Sequence, residues 1–186
     1  MKETVTSGHL WNDAARTGLV LGGICILYTL VTSWLTTASG GMVAGILFAV
    51  RTVLWIVKFG ACLFLMRYFL LRLCLQYEGV TNQTVFGYGV RIALLSALVY
   101  SAYVLADALL INPEQLDAVM DAATSSLPMA MDANTQAVLE QFKQNFPQYM
   151  FFGNFIYCFL FGVVLSRLYS RELPPHTFPD QPADPQ

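Results

Sequence analysis

Apolar positions in this chain gather into four long blocks separated by short polar stretches. Residues 1–16 are polar, with Lys2, Glu3, His9, Asn12, Asp13 and Arg16. Thr17 to Leu35 then runs nineteen residues without a charge. About 20 apolar residues cross a bilayer as a helix, so 17–35 reads as a first span. It is read as retained, because Thr36-Thr37-Ala38-Ser39 makes a poor signal-peptide cleavage site. A small, uncharged connection (36–45) leads to a second apolar stretch with its span at 46–70, and Gly79–Gln83 makes the next turn. The third span is placed at 86–111 and the fourth at 149–169.

The pattern changes between spans three and four. Asn112-Pro113-Glu114 is a helix-start signal, with an N-cap side chain, a proline at the first helical position and an acid in the first turn. Leu116, Val119, Met120, Ala123 and Leu127 continue at helical spacing, and Pro128 breaks it. Val138, Leu139, Phe142 and Phe146 form a second, shorter stripe that Pro147 is expected to end. These two amphipathic helices are too short to span. Interfacial helices carry Lys or Arg on the polar face, whereas 112–148 holds Lys143 alone against five acids, so packing on the bundle is favoured over lying on the membrane. The tail 174–186 holds five of the eight prolines and reads as disordered. The expected fold is therefore all-α: an integral membrane bundle of four transmembrane helices in one domain, residues 1–173, with a two-helix outer loop.

Composition agrees. Of 186 residues 56% are apolar and 12% charged, against about 45–50% and about 25% in soluble domains, and the mean hydropathy is +0.54. A soluble enzyme domain is excluded. A net charge of −2 lacks the basic field that nucleic acid demands. Charge placement then sets orientation. With the N-terminus inside, the inner flanks hold Lys2, Arg16, Arg67, Arg72, Arg91, Arg167 and Arg171, and the outer segments hold only Lys143. Cytoplasmic flanks are enriched in Lys and Arg, so both termini are expected in the cytoplasm.

Three charges are left within the spans. Arg51 and Asp107 lie four to five residues inside the outer ends of spans two and three, and Asn154 lies at a similar depth in span four. At about 1.5 Å per residue, Arg51 and Asp107 are expected to pair or to share an outward-opening polar pocket, with Asn154 able to join. Lys58 lies two turns deeper, with no acid at its depth and with Tyr28, Tyr100, Tyr103 and Tyr157 as candidate partners. It can hydrogen-bond tyrosines, form a proton or anion site, or await a partner subunit's acid. Ala14, Gly18 and Gly22 at four-residue spacing invite close helix packing, within the bundle or between copies. The four cysteines, Cys25, Cys62, Cys74 and Cys158, show no metal-ligand spacing and read as small buried apolar residues. No catalytic motif is present, and no metal or other cofactor is expected.

The order of features, from the Gly-rich first span (TGLVLGGICILYTL) through TVFGYGVRIALLSALVYSAYVLADALLINPEQLD to the last helix (YMFFGNFIYCFLFGVVLSRLYSREL), resembles the DUF4199 family of small four-helix membrane proteins typical of the Bacteroidota. The likeness covers about residues 10–173, and Arg51 and Lys58 depart from it by making span two more basic. It implies a bacterial inner-membrane location and an uncharacterised function, with no catalytic residues to carry over. Members are often encoded beside a membrane-associated glycosyltransferase. The functional expectation is a non-enzymatic membrane subunit or scaffold, in contact with membrane lipid and associated with copies of itself or with such a glycosyltransferase. The alternative is a small oligomeric transporter or channel using Arg51, Lys58 and Asp107.

Overall fold

Backbone polar groups in lipid must be satisfied within the chain, and a helix does this with local hydrogen bonds alone. In a computed structural model, which describes residues 3–4, 7–38, 44–78, 80–125 and 133–173, the four apolar blocks accordingly form long helices. They are α1 (Ser7–Ala38), α2 (Ala44–Gln76), α3 (Asn82–Ala106) and α5 (Ala133–Glu172), with the shorter α4 (Pro113–Ser125) between the last two. All four long helices are apolar and long enough to cross a membrane. Thr81 caps α3, its hydroxyl accepting from the Thr84 N–H at 3.2 Å. A π-helical turn, Asp107–Ile111, closes α3, and α4 begins at Pro113. The expected disordered tail 174–186 and the expected break at Pro128 lie outside the described residues, as do residues 39–43 of the connection between spans one and two.

Two expectations are corrected. Pro147 does not end a helix: α5 runs unbroken through it for 40 residues, so the second loop helix and the fourth span are one element. A proline inside a helix removes one backbone hydrogen bond, at a cost of about 3 kcal/mol, and the continuous apolar run on its C-terminal side carries the helix on. The helix that holds the first apolar block also begins earlier than Thr17. α1 starts at Ser7, and Leu10 and Ala14 are buried.

The hydrophobic core is gathered at one end of the bundle. β1 (Glu3–Thr4) pairs in parallel with β2 (Tyr77–Glu78), which places the start of the chain beside the α2–α3 connection. The core lies at this near end: Leu10 and Ala14 of α1, Leu70 and Leu73 of α2, Val85, Tyr88 and Ile92 of α3, and Leu173 beyond α5. α3 is the central helix, packed along α1 on one side and α5 on the other. Small residues make both seams. Cβ atoms added at Gly18 and Gly22 of α1 would lie 2.8 and 3.0 Å from the Cβ atoms of Leu95 and Val99 on α3. One added at Gly162 of α5 would lie 2.5 Å from that of Ala93. Ala14, Gly18 and Gly22 therefore face α3 inside the bundle. α2 is buried only through its last turns: Met66, Leu70, Leu73 and Cys74 are buried, whereas no residue from Gly45 to Leu65 is. Before Met66 α2 meets the other helices through scattered side-chain contacts, and the gap left among them holds the candidate site.

Candidate functional site

The gap is a cavity of about 150 Å³ to which all four long helices contribute. Its polar lining is Cys25 from α1, Lys58 and Cys62 from α2, Ser96 and Tyr100 from α3, and Tyr157 and Cys158 from α5. Leu21, Met66, Ala97 and Leu165 make apolar wall, and Trp55, Phe59 and Phe161 add aromatic rings. Trp55 and Phe59 stack at 5.6 Å, and Phe59 meets Phe161 at 5.5 Å across the α2–α5 seam. Trp55 and Tyr157 are 54% and 69% exposed, so the cavity opens sideways between α2 and α5.

Lys58 crosses this space. Its Nζ lies 4.7 Å from the centre of the Tyr28 ring and 5.2 Å from that of Tyr100. Ring faces attract a cation through their quadrupole, by about 2 kcal/mol where water is excluded. The tyrosines thus meet Lys58 with their rings, and two of the four expected partners, Tyr28 and Tyr100, are the ones used. One helical turn separates Lys58 from Cys62 on α2, so both face the cavity. Cys62 Sγ lies 4.0 Å from Cys25 Sγ on α1. Cys25, Cys62 and Cys158, read from sequence as inert filler, share one cavity with a lysine. Their spacing along the chain gives no hint of this, because each comes from a different helix. Cys74 is apart from them, in the near-end core. Among the described residues no cluster of His, Cys, Asp and Glu is placed to hold a metal ion.

The other intramembrane candidates do not converge. Arg51 is exposed on the N-terminal half of α2, in a shallow groove with Tyr28, Phe48, Thr52 and Trp55. Asp107 Oδ1 accepts from Asn112 Nδ2 at 2.8 Å, and the Asp107 carbonyl accepts from the Asn112 N–H, also at 2.8 Å. Its side chain is taken up by the π-helical turn. The expected Arg51–Asp107 pair is absent from the ion pairs of the described residues, because the far half of α2 stands away from α3. Asn154 Nδ2 donates to the Met150 carbonyl of its own helix at 2.9 Å. Matching depth placed these groups at one level, but depth says nothing about which way each helix face turns.

The near end holds a polar contact that the sequence reading missed. Tyr88, fully buried on α3, donates its hydroxyl to Asp13 Oδ2 on α1 at 2.5 Å, and Thr17 Oγ1 lies 3.4 Å from the same hydroxyl. Asp13 looks like part of a polar leader until α1 is seen to begin at Ser7. Arg91 and Arg167 at this end lie over the rings of Trp11 and Phe86, 5.3 and 5.5 Å from their centres.

Comparison of the chain with protein-family profiles, with curated proteins and with solved structures finds no match.

Proposed function

We propose that the protein is a non-enzymatic membrane subunit that docks a transmembrane helix of another protein along the outer half of α2. One observation carries this reading. From Gly45 to Val53 every residue of α2 but Leu47 is exposed, and Arg51 lies on that surface outside every ion pair of the described residues. A charged group within a bilayer costs roughly 2.5–3.5 kcal/mol on insertion scales and usually faces a partner. A second helix bringing a carboxylate to the depth of Arg51 would remove that cost and cover the apolar face of Phe48 and Trp55.

The cations of the helix ends support an orientation for this subunit. Arg16, Arg67, Arg72, Arg91, Arg167 and Arg171 fall toward the near end, which fits a cytoplasmic side by the positive-inside tendency. The likeness in layout to the DUF4199 proteins supports a bacterial inner membrane and an envelope glycosyltransferase as the docked partner. A transporter path gains no support from the geometry, since Arg51, Lys58 and Asp107 line no common space.

Site-specific photo-crosslinking in native membranes tests the proposal. A photoreactive residue at Phe48, one turn from Arg51 on α2, is expected to give one discrete protein adduct that Arg51→Leu abolishes. The same residue at Leu160, equally outward on α5, is expected to label lipid alone. Lipid labelling from both positions, with a protein that purifies alone and monomeric in mild detergent, overturns it. An adduct of twice the chain mass overturns the choice of a foreign partner in favour of a second copy.

A further inference from the structure

The cavity between the four helices combines three features that packing alone does not require. Two thiols from different helices face each other at 4.0 Å, about 2 Å beyond the bonded S–S distance of about 2.05 Å. Both lie far inside the membrane-spanning helices. Cys25 is 13 residues from the end of α1 and Cys62 is 14 from the end of α2, about 20 Å of helix at 1.5 Å per residue. A soluble dithiol protein or glutathione cannot reach sulfurs at that depth, so any redox partner has to be lipid-soluble. The cavity beside them opens sideways, is walled by the aromatic rings of Trp55, Phe59, Tyr100 and Phe161, and holds one hydrogen-bond-donating cation, Lys58. Flat walls with a single cation match a flat ring whose oxygen gains negative charge as it is reduced.

We propose that this cavity is a thiol redox site in which Cys25 and Cys62 pass an electron pair to a lipid-soluble quinone held against Lys58. In the step, the two S–H bonds break and one S–S bond forms between α1 and α2. The thiols give up two electrons and two protons, and the quinone takes up both to become a quinol. Lys58 takes no part in that proton balance; its Nζ donates a hydrogen bond to the ring oxygen as charge develops on it. This chemistry goes beyond the subunit role proposed above; the cavity and the docking face of α2 share Trp55, but thiol oxidation and crosslinking to a partner are read separately, so either can fail alone.

The test uses the full chain in liposomes, with its thiols reduced, the reductant removed and air excluded, and a short-chain benzoquinone added. Quinol is expected to appear at about one per disulfide, as a two-electron couple requires, with peptide mapping placing the bond between Cys25 and Cys62. Cys25→Ser and Cys62→Ser are each expected to abolish both signals. Lys58→Met, with helix content and melting temperature unchanged, is expected to slow quinol formation while leaving its final amount the same. The proposal is overturned if the quinone leaves both thiols free, whether or not a general thiol oxidant can join them. It is also overturned if quinol still forms in the double serine variant, or if the product is a covalent quinone–cysteine adduct in place of a disulfide.

Discussion

Ser166 of α5 occupies the space into which a side chain on Gly89 of α3 would have to project. Its hydroxyl donates to the Phe86 carbonyl one turn before Gly89 at 2.9 Å, and a Cβ on Gly89 would lie 2.8 Å from the Ser166 Cβ and collide with its Oγ. In a bilayer, where lipid is as apolar as the side chains, close contact of this kind holds helices together. Gly89→Ala is therefore expected to lower stability by about 1–3 kcal/mol through overpacking. Adding Ser166→Gly should recover part of that loss by vacating the space. Thermal unfolding in detergent reads both. An unchanged melting temperature in the single variant would show that the α3–α5 seam gives way easily.

The α1–α3 seam has a polar counterpart in Tyr88 and Asp13. Tyr88 is buried, and its hydroxyl has Asp13 and Thr17 as its neighbours. Tyr88→Phe leaves the Asp13 carboxyl without its donor and is expected to cost about 1–3 kcal/mol. Asp13→Asn keeps an acceptor at the same place, so a smaller loss is expected. Chemical unfolding of the two variants side by side checks the order, and equal losses would mean that the charge of Asp13 matters more than the hydrogen bond.

The helices were legible because apolar runs of span length have few alternatives in a membrane. The start of α4 at Pro113 was legible from Asn112-Pro113-Glu114, a local signal with a local cause. What failed to show in the sequence depends on how helices turn about their axes. Counting residues puts Arg51 and Asp107 at one level, yet Arg51 is exposed and Asp107 is bonded to Asn112 within its own turn. Cys25, Cys62 and Cys158 meet only because α1, α2 and α5 each turn one face to the same gap. Pro147 misled for a different reason. Its rule is a local cost, and in α5 the apolar run beyond it outweighs that cost.

Lys58 sets two terms of similar size against each other. Its insertion cost is roughly 2.5–3.5 kcal/mol, and the ring faces of Tyr28 and Tyr100 return about 2 kcal/mol. Lys58→Met should consequently leave stability within about 1.5 kcal/mol of the parent, on the difference of those terms. The discriminating measurement is a double-mutant cycle with Tyr100→Leu. Loss of the ring should destabilise the lysine form more than the methionine form, since only the former has a cation for the ring to hold. Equal effects in both backgrounds would show that Tyr100 acts through packing alone.

α4 is held by two features whose strengths can be separated. Lys143 on α5 pairs with Asp117 at 2.8 Å and Asp121 at 3.9 Å on α4, with all three side chains substantially exposed. Met120, between those acids on α4, is only 5% exposed. Exposed ion pairs are weak and are screened by salt, whereas truncating a buried Met to Ala costs about 2–5 kcal/mol. Met120→Ala is therefore expected to free α4, seen as faster amide exchange over Pro113–Ser125, with little change across α3. Lys143→Ala should speed exchange there only slightly, and molar salt on the parent protein should reproduce that slight effect. Of the two acids, Asp117→Asn should do more than Asp121→Asn, because its oxygen is the closer to Nζ. If Lys143→Ala or salt loosens α4 as much as Met120→Ala does, then charge holds α4 in place, and the position of the segment becomes sensitive to ionic strength at the membrane surface.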